Sequence, residues 1–358
     1  MGAGTILQVQ AGDPSAAEGE LLLSVRDLRT SFATDAGTVK AVDGVSFDLH
    51  RGEVLAVVGE SGSGKSVTAM SVLGLVPSPP GRTSGQVLWK GRDLLGLGER
   101  ELCRIRGAEI SMVFQDPMSS LNPLHTVGRQ IAEVVRLHTS STRKQAAERA
   151  IEMLDLVGIP QARRRSRSYP HEFSGGMRQR VMIGMALACE PDLLIADEPT
   201  TALDVTIQAQ VLELLQETKE RTSSAILLIT HDLGVVAGMA DQVLVMYAGR
   251  AVEQGSAADV FYRSRHPYSL GLLAALPRVD QDDASLRLQP IDGAPPSLVH
   301  VPSGCSFHPR CPFSRAERCP VEEPRLHDDG AGHRAACHYA DEVARLSPSD
   351  LQRAVPTP

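Results

Sequence analysis

The sequence predicts an α/β fold built on a parallel sheet, and three apolar runs predict it. "VLAVVG", "DLLIADE" and "SAILLIT" are short, rich in branched residues and sharply bounded, the pattern of strands buried on both faces. Segments of helical period separate them, as parallel strands require of their crossovers. At 358 residues, 42% hydrophobic and 22% charged, the chain is an ordinary globular sequence with room for a sizeable core and more than one domain.

Composition removes several classes of function. A formal net charge of −7 argues against nucleic acid as the main partner, because binding to phosphates rests on an excess of Lys and Arg. The basic run "ARRRSRSYP" reads as a solvated face. No apolar run approaches the roughly 20 residues that a membrane-spanning helix needs. "MGAGTILQVQAGDPSAAEGE" lacks the basic start and apolar stretch of a secretory signal, and Ile6 breaks the myristoylation pattern at Gly2. The expectation is a cytoplasmic protein with a flexible tail over residues 1–21.

The first strand-like run leads into "GESGSGKS" and then a helical pattern. Gly59, Ser61, Gly62, Ser63 and Gly64 form a turn whose backbone N–H groups can wrap a phosphate, at the positive end of the helix that follows. Lys65 would reach the outer phosphates and Ser66 would ligate Mg²⁺. The second run ends in Asp197 and Glu198, which can hold a hydrated metal and orient a water; a solvated turn is the bland alternative. The third ends at His231, placed to contact a terminal phosphate as a neutral donor. Ser174, Gly175 and Gly176 in "FSGGMRQR" make a second helix start suited to anions.

The order of phosphate loop, "FSGGMRQR", "LLIADE", "TALD" and "ITHD" closely resembles the ATP-binding-cassette ATPases over about residues 22–260. The resemblance implies a P-loop NTPase cassette with a RecA-like core, an antiparallel β subdomain and a helical subdomain at about 118–186. It also implies two cassettes dimerised head to tail around ATP. It carries Ser174, Gly175 and Gly176 onto the partner's nucleotide, and Asp204 onto the dimer seam. Asp197 goes to Mg²⁺, joined by Ser66 and the lid glutamine Gln115. Glu198 goes to the hydrolytic water and His231 to the γ-phosphate. Phe32 takes the place of the adenine-stacking aromatic, or packs in the core.

Beyond residue 260, "RHPYSLGLLAALP" and the Cys-rich segment after it resemble the C-terminal extension of oligopeptide/dipeptide importer ATPases. That resemblance implies import of di- or oligopeptides, with nickel or another small solute as the alternative cargo. It implies two integral membrane permease subunits, an extracytoplasmic solute-binding protein, and a second cassette subunit, a different chain ahead of a copy of this one. The chain would sit at the cytoplasmic face of the membrane. A soluble, non-transport cassette ATPase is the competing class.

The extension, residues 261–358, carries Cys305, Cys311, Cys319 and Cys337; Cys103 and Cys189 stand alone. A reducing compartment disfavours disulfides, so four clustered thiols point to a metal centre, zinc or iron–sulfur. Intervals of five, seven and seventeen residues lack the close pairs of common zinc ribbons. The importer resemblance favours a [4Fe–4S] cluster. His308, His333 and His338 lie near enough in sequence to replace a thiolate in a zinc site.

Overall fold

The computed structural model describes residues 19–116, 120–201, 203–276, 291–347 and 350. Most of the expected N-terminal tail therefore lies outside the described residues, as do residue 202 of "TALD" and the stretch 277–290. Strands β1 (Leu21–Thr34) and β2 (Gly37–His50) form a long hairpin. With β4 (Gly81–Trp89) and β5 (Arg92–Asp93) they build a four-stranded antiparallel sheet, in the order β2-β1-β4-β5.

Among the described residues, the second sheet has eight strands. Its middle is parallel: β3 (Val54–Val58) lies between β9 (Gln242–Tyr247) and β8 (Ala225–Thr230), followed outward by β7 (Leu193–Asp197) and β6 (Ile110–Val113). β10 (Arg250–Ser256) pairs antiparallel with β9. The two-residue strands β12 (Arg334–Ala335) and β11 (His327–Asp328) complete that edge.

Every residue of β3, β7 and β8 is buried, which is why these strands read as continuous apolar runs. Their side chains alternate between faces. Leu193, Ile195, Leu227 and Ile229 join a core under the antiparallel sheet, while Leu194, Ala196, Ile226 and Leu228 join one with the helices on the other side. The segments read as helical, "TVGRQIAEVVRLH" and "KQAAERAIEMLDLVGI", form helices Val127–His138 and Arg143–Leu156. Thr142 and Gln145 close a reciprocal cap that starts the second. Helix Gly175–Leu187 packs with both in the same core. In the arginine run, Arg163 pairs with Glu148 on the surface at 2.6 Å.

The residues after 260 do not hang from this body; they share its sheet and its third core. Val58, Val245, Tyr247, Tyr268 and Phe307 belong to one apolar cluster. β12 extends the sheet from β10. Glu253 on β10 is fully buried and accepts from the Arg265 and His266 backbone N–H groups, at 2.6 and 3.1 Å, and from His333 Nε2 at 2.8 Å. One carboxylate thus ties the cassette to two segments of the extension. Its removal would strand a buried imidazole and two N–H groups, each costing about 1–3 kcal/mol.

His266 caps helix Pro267–Ala274: its Nδ1 accepts the Tyr268 N–H at 3.1 Å, and Pro267 stands at the first helical position. The ring is buried, and burial pushes its pKa down from 6.5 to about 3. Between those values the unfolded chain binds a proton that the folded chain refuses. Stability is therefore complete above pH 6.5 and falls as pH drops toward 3, by at most about 1.4 kcal/mol per unit from this group. Urea midpoints measured at pH 6.5 and 4.5 should show that slope, and His266→Asn, which keeps a capping acceptor but cannot titrate, should lose this share of it. Equal slopes in the two proteins would show that His266 does not hold this linkage.

Candidate active site

The loop between β3 and helix Lys65–Val72 is shaped by what surrounds it. Gly59, Gly62 and Gly64 have φ of 148°, 78° and 103°, backbone that other residues rarely adopt. A Cβ on Gly59 would stand 2.2 Å from the Met246 carbonyl oxygen, and one on Gly64 would stand 2.2 Å from that of Ala41. Two neighbouring strands therefore press the loop from behind. Gly62 faces open space. The helix has no side-chain cap, so its first N–H groups are left for a ligand.

Lys65 is buried and donates to the carbonyls of Gly59 at 2.7 Å and Glu60 at 3.0 Å. Burial lowers its pKa, against the attraction of Glu198, Asp197 and Glu60. The Ser63 hydroxyl is buried with no hydrogen-bond partner among the described residues. A cation and an unpartnered hydroxyl are thus held out of water in one loop, which fits a polyphosphate.

Parallel register brings the other groups level with this loop. Val58 stands opposite Thr230, and Asp197 opposite Ile229, so β3, β8 and β7 end together. Ser66 Oγ donates to Asp197 Oδ1 at 3.0 Å. The Asp197 pKa is raised, first by burial and then by the like charge of Glu198, with Ser66 and Lys65 opposing. Hydroxyl and carboxylate oxygens side by side are a donor set suited to Mg²⁺.

Glu198 stands just past the strand end with φ of 48°, its N–H donating to the Ile229 carbonyl at 2.9 Å. Gln115 Nε2 donates to its Oε2 at 3.0 Å and Thr201 Oγ1 to the same oxygen at 2.8 Å, while His231 Nδ1 lies 3.4 Å from Oε1. A carboxylate aimed by two donors, with a histidine on its other oxygen, is an arrangement that can orient water and accept its proton.

Ser61 is exposed on the loop. Ser174 caps helix Gly175–Leu187, accepting the Met177 N–H at 3.4 Å, and it and Gly175 are exposed. A Cβ on Gly176 would meet Ile207 at 3.1 Å. Asp204 caps helix Val205–Thr222 through the Ile207 N–H at 3.0 Å. Among the described residues, no hydrogen bond joins these groups to the chain's own phosphate loop; they form a second, outward-facing surface. Phe32 is half-buried near Gly81 and belongs to none of the three apolar cores, which disfavours core packing.

Sequence reasoning missed Thr201, although a hydroxyl three residues after Glu198 was in view. It also missed Tyr268 and Arg310, which reach the loop from the C-terminal extension. No short motif announces a contact across that much chain.

Cys305, Cys311, Cys319 and Cys337 line one cavity. Cys319 Sγ accepts the Arg315 backbone N–H and Cys337 Sγ that of Tyr339, both at 3.4 Å. Burial pushes the Cys305 thiol up, Cys311 to about 12 and Cys337 to about 11. Four thiols suit a metal centre in kind, but two observations correct the expectation of a ready-made one. Among the described residues, no group of three or more His, Cys, Asp or Glu stands close enough to hold a metal ion. The cavity, about 20 Å³, admits roughly one water. The histidine alternatives are otherwise engaged: His333 on Glu253, His308 Nδ1 at 2.9 Å from the Cys305 carbonyl, His338 Nε2 at 2.8 Å from that of Glu322.

Comparison with known proteins agrees with this architecture. The ABC transporter family matches residues 42–201, and the oligopeptide/dipeptide transporter C-terminal region matches residues 252–319. A dimeric ATP-binding cassette solved in a post-hydrolysis state with ADP and Pi superposes with a TM-score of 0.60, at 25% identity over 66% of this chain and 99% of its own. CbiO1 from Clostridium perfringens gives 0.56, at 29% identity over 68% of this chain and 91% of its own. Fold and site together define an ATP-binding cassette. Among curated proteins, the oligopeptide transport ATP-binding protein OppD of Salmonella typhimurium is 55% identical over 88% of this chain and 93% of its own. The dipeptide transport ATP-binding protein DppD of Bacillus subtilis is 52% identical, over 91% and 96%. The chain belongs to the oligopeptide/dipeptide branch of the ABC transporter ATP-binding proteins.

Proposed function

We propose that this chain is the ATP-hydrolysing subunit that powers uptake of di- or oligopeptides through an ABC importer. The observation that carries the reading is the convergence, at the level ends of three adjacent strands, of Lys65, the Ser66–Asp197 pair and Glu198. The peptide cargo rests on the match of the C-terminal region and on relatives named for oligopeptide and dipeptide transport. No helix among the described residues is long and apolar enough to cross a membrane, which suits a peripheral subunit working beneath two permease subunits fed by a solute-binding protein.

In this reading the loop N–H groups and Lys65 bind the phosphates of ATP, and Phe32 stacks on the base. Ser66, Asp197 and Gln115 would hold Mg²⁺, which supplies charge neutralisation between the outer phosphates. Glu198, held by Thr201 and Gln115, orients the attacking water and takes its proton, and His231 senses the terminal phosphate. Ser174, Gly175, Gly176 and Asp204 serve a second cassette; Ser174, Gly175 and Asp204 are exposed, and none of the four bonds to the chain's own loop among the described residues. A non-identical second cassette is the favoured partner.

Lys65→Ala is expected to abolish productive ATP binding, read by equilibrium binding of a fluorescent ATP analogue. Glu198→Gln should bind ATP normally yet turn over at least about a hundredfold more slowly, since an amide cannot accept the proton. Fast steady-state hydrolysis by that variant would move the base elsewhere. Uptake of labelled di- and oligopeptides by cells carrying the whole transporter tests the cargo; uptake of nickel alone would replace it.

For the four clustered thiols we propose a [4Fe–4S] cluster, with zinc as the alternative, which requires the sulfurs to stand closer together than they do here. Backbone N–H donors on Cys319 and Cys337 support it, because such bonds favour thiolates, while burial makes unligated thiolates costly. Iron, sulfide and zinc analysis after anaerobic purification decides. Four irons and four sulfides per chain are expected; metal-free folded protein would end the proposal.

A further inference from the structure

The residue after the first loop glycine, Glu60, has nearly all its polar groups held in place. Its carbonyl accepts from Lys65 and from the Ser63 N–H at 3.2 Å. Its N–H donates to the Tyr268 hydroxyl at 2.7 Å. Its carboxylate receives both prongs of Arg310, Nη1 to Oε2 at 2.6 Å and Nη2 to Oε1 at 3.0 Å. The last two partners come from the C-terminal extension.

Arg310 is built into this contact. Its side chain is only 5% exposed. Nε donates to the Asp292 carbonyl at 2.9 Å and Nη2 also to that of Ile291 at 3.2 Å, so the guanidinium plane is fixed before it meets Glu60. The Tyr247 ring lies 5.8 Å beneath it, and Tyr268 and Phe307 pack on Tyr247 with centroids 4.7 and 5.2 Å away. A planar, two-pronged, desolvated ion pair holds its acceptor in one orientation, which a flexible ammonium cannot do.

From this geometry we infer that Arg310 is a positioning residue for the nucleotide site: acting through Glu60, with Tyr268 on the backbone beside it, it holds the phosphate loop in its ligand-ready shape. Loop and Lys65 are linked by the Glu60 carbonyl, so loosening Glu60 frees both. The extension is then a working part of the ATP site. This inference rests on reading Gly59–Ser66 as the ATP phosphate loop.

The test measures ATP affinity and steady-state kinetics on the full-length chain with Arg310→Ala, Arg310→Lys, Glu60→Ala, the double Arg310→Ala/Glu60→Ala, and Tyr268→Phe. Arg310→Ala should weaken ATP binding on the order of tenfold, chiefly in KM. Arg310→Lys should recover part of the loss, and Tyr268→Phe should show a smaller loss. Glu60→Ala should weaken binding comparably, and the double variant should be no worse than the poorer single, because one contact is lost in all three. Wild-type affinity in Arg310→Ala overturns the inference. So does weak binding in Arg310→Ala with normal binding in Glu60→Ala, which would mean the extension had merely unfolded, or losses in the double variant that multiply. Lys65→Ala separates the two claims: if it too binds ATP normally, the phosphate-loop reading has failed; if it does not, only the role of Arg310 has.

Discussion

The pairing of β3 with β8 and of β8 with β7 is the constraint on which the rest depends. Parallel strands in register end at the same height, so Val58, Thr230 and Asp197 deliver their following residues to one ledge. Nothing else in the fold places Lys65, Glu198 and His231 within reach of one ligand. A slip of one residue in β7 would turn Asp197 away from the core face pattern that anchors it and carry Glu198 off the ledge. Because each strand feeds two cores with alternate residues, such a slip would also swap side chains between them and disturb the packing of both. The packing of the sheet thereby protects the chemistry.

The charges collected on that ledge are uncomfortable by themselves. Lys65 and Asp197 are both pushed by burial toward their neutral forms, and Glu198 adds repulsion to Asp197. Such a site stores an electrostatic deficit that polyphosphate and a divalent ion relieve together, which is the direction in which a binding site is prepared. Glu253 shows the opposite strategy. It is equally buried, but three donors from two segments leave it nothing to gain from a ligand, and it acts as a structural knot.

Much of this was legible in the sequence because the physics is local. Glycines that must adopt positive φ, a lysine one residue past them, and carboxylates at the end of an apolar run are all fixed by short-range requirements, and each stands where its pattern predicts. The helical segments followed from their period. Thr201 was passed over because a hydroxyl in a turn has many uses. Arg310 and Tyr268 were invisible for a stronger reason: their importance lies in Glu60, distant along the chain, and an Arg among prolines and cysteines carries no mark of its partner. The thiol cluster was half legible. Sequence proximity gathers the four sulfurs, but the cavity's width belongs to tertiary structure.

The Glu60–Arg310 contact spans 250 residues. During synthesis the chain is made N-terminus first, so every group on the catalytic ledge, His231 last, is made before Arg310. The loop still lacks its clamp at that stage, because Arg310 follows later. The phosphate loop therefore gains its last support only near the end of translation.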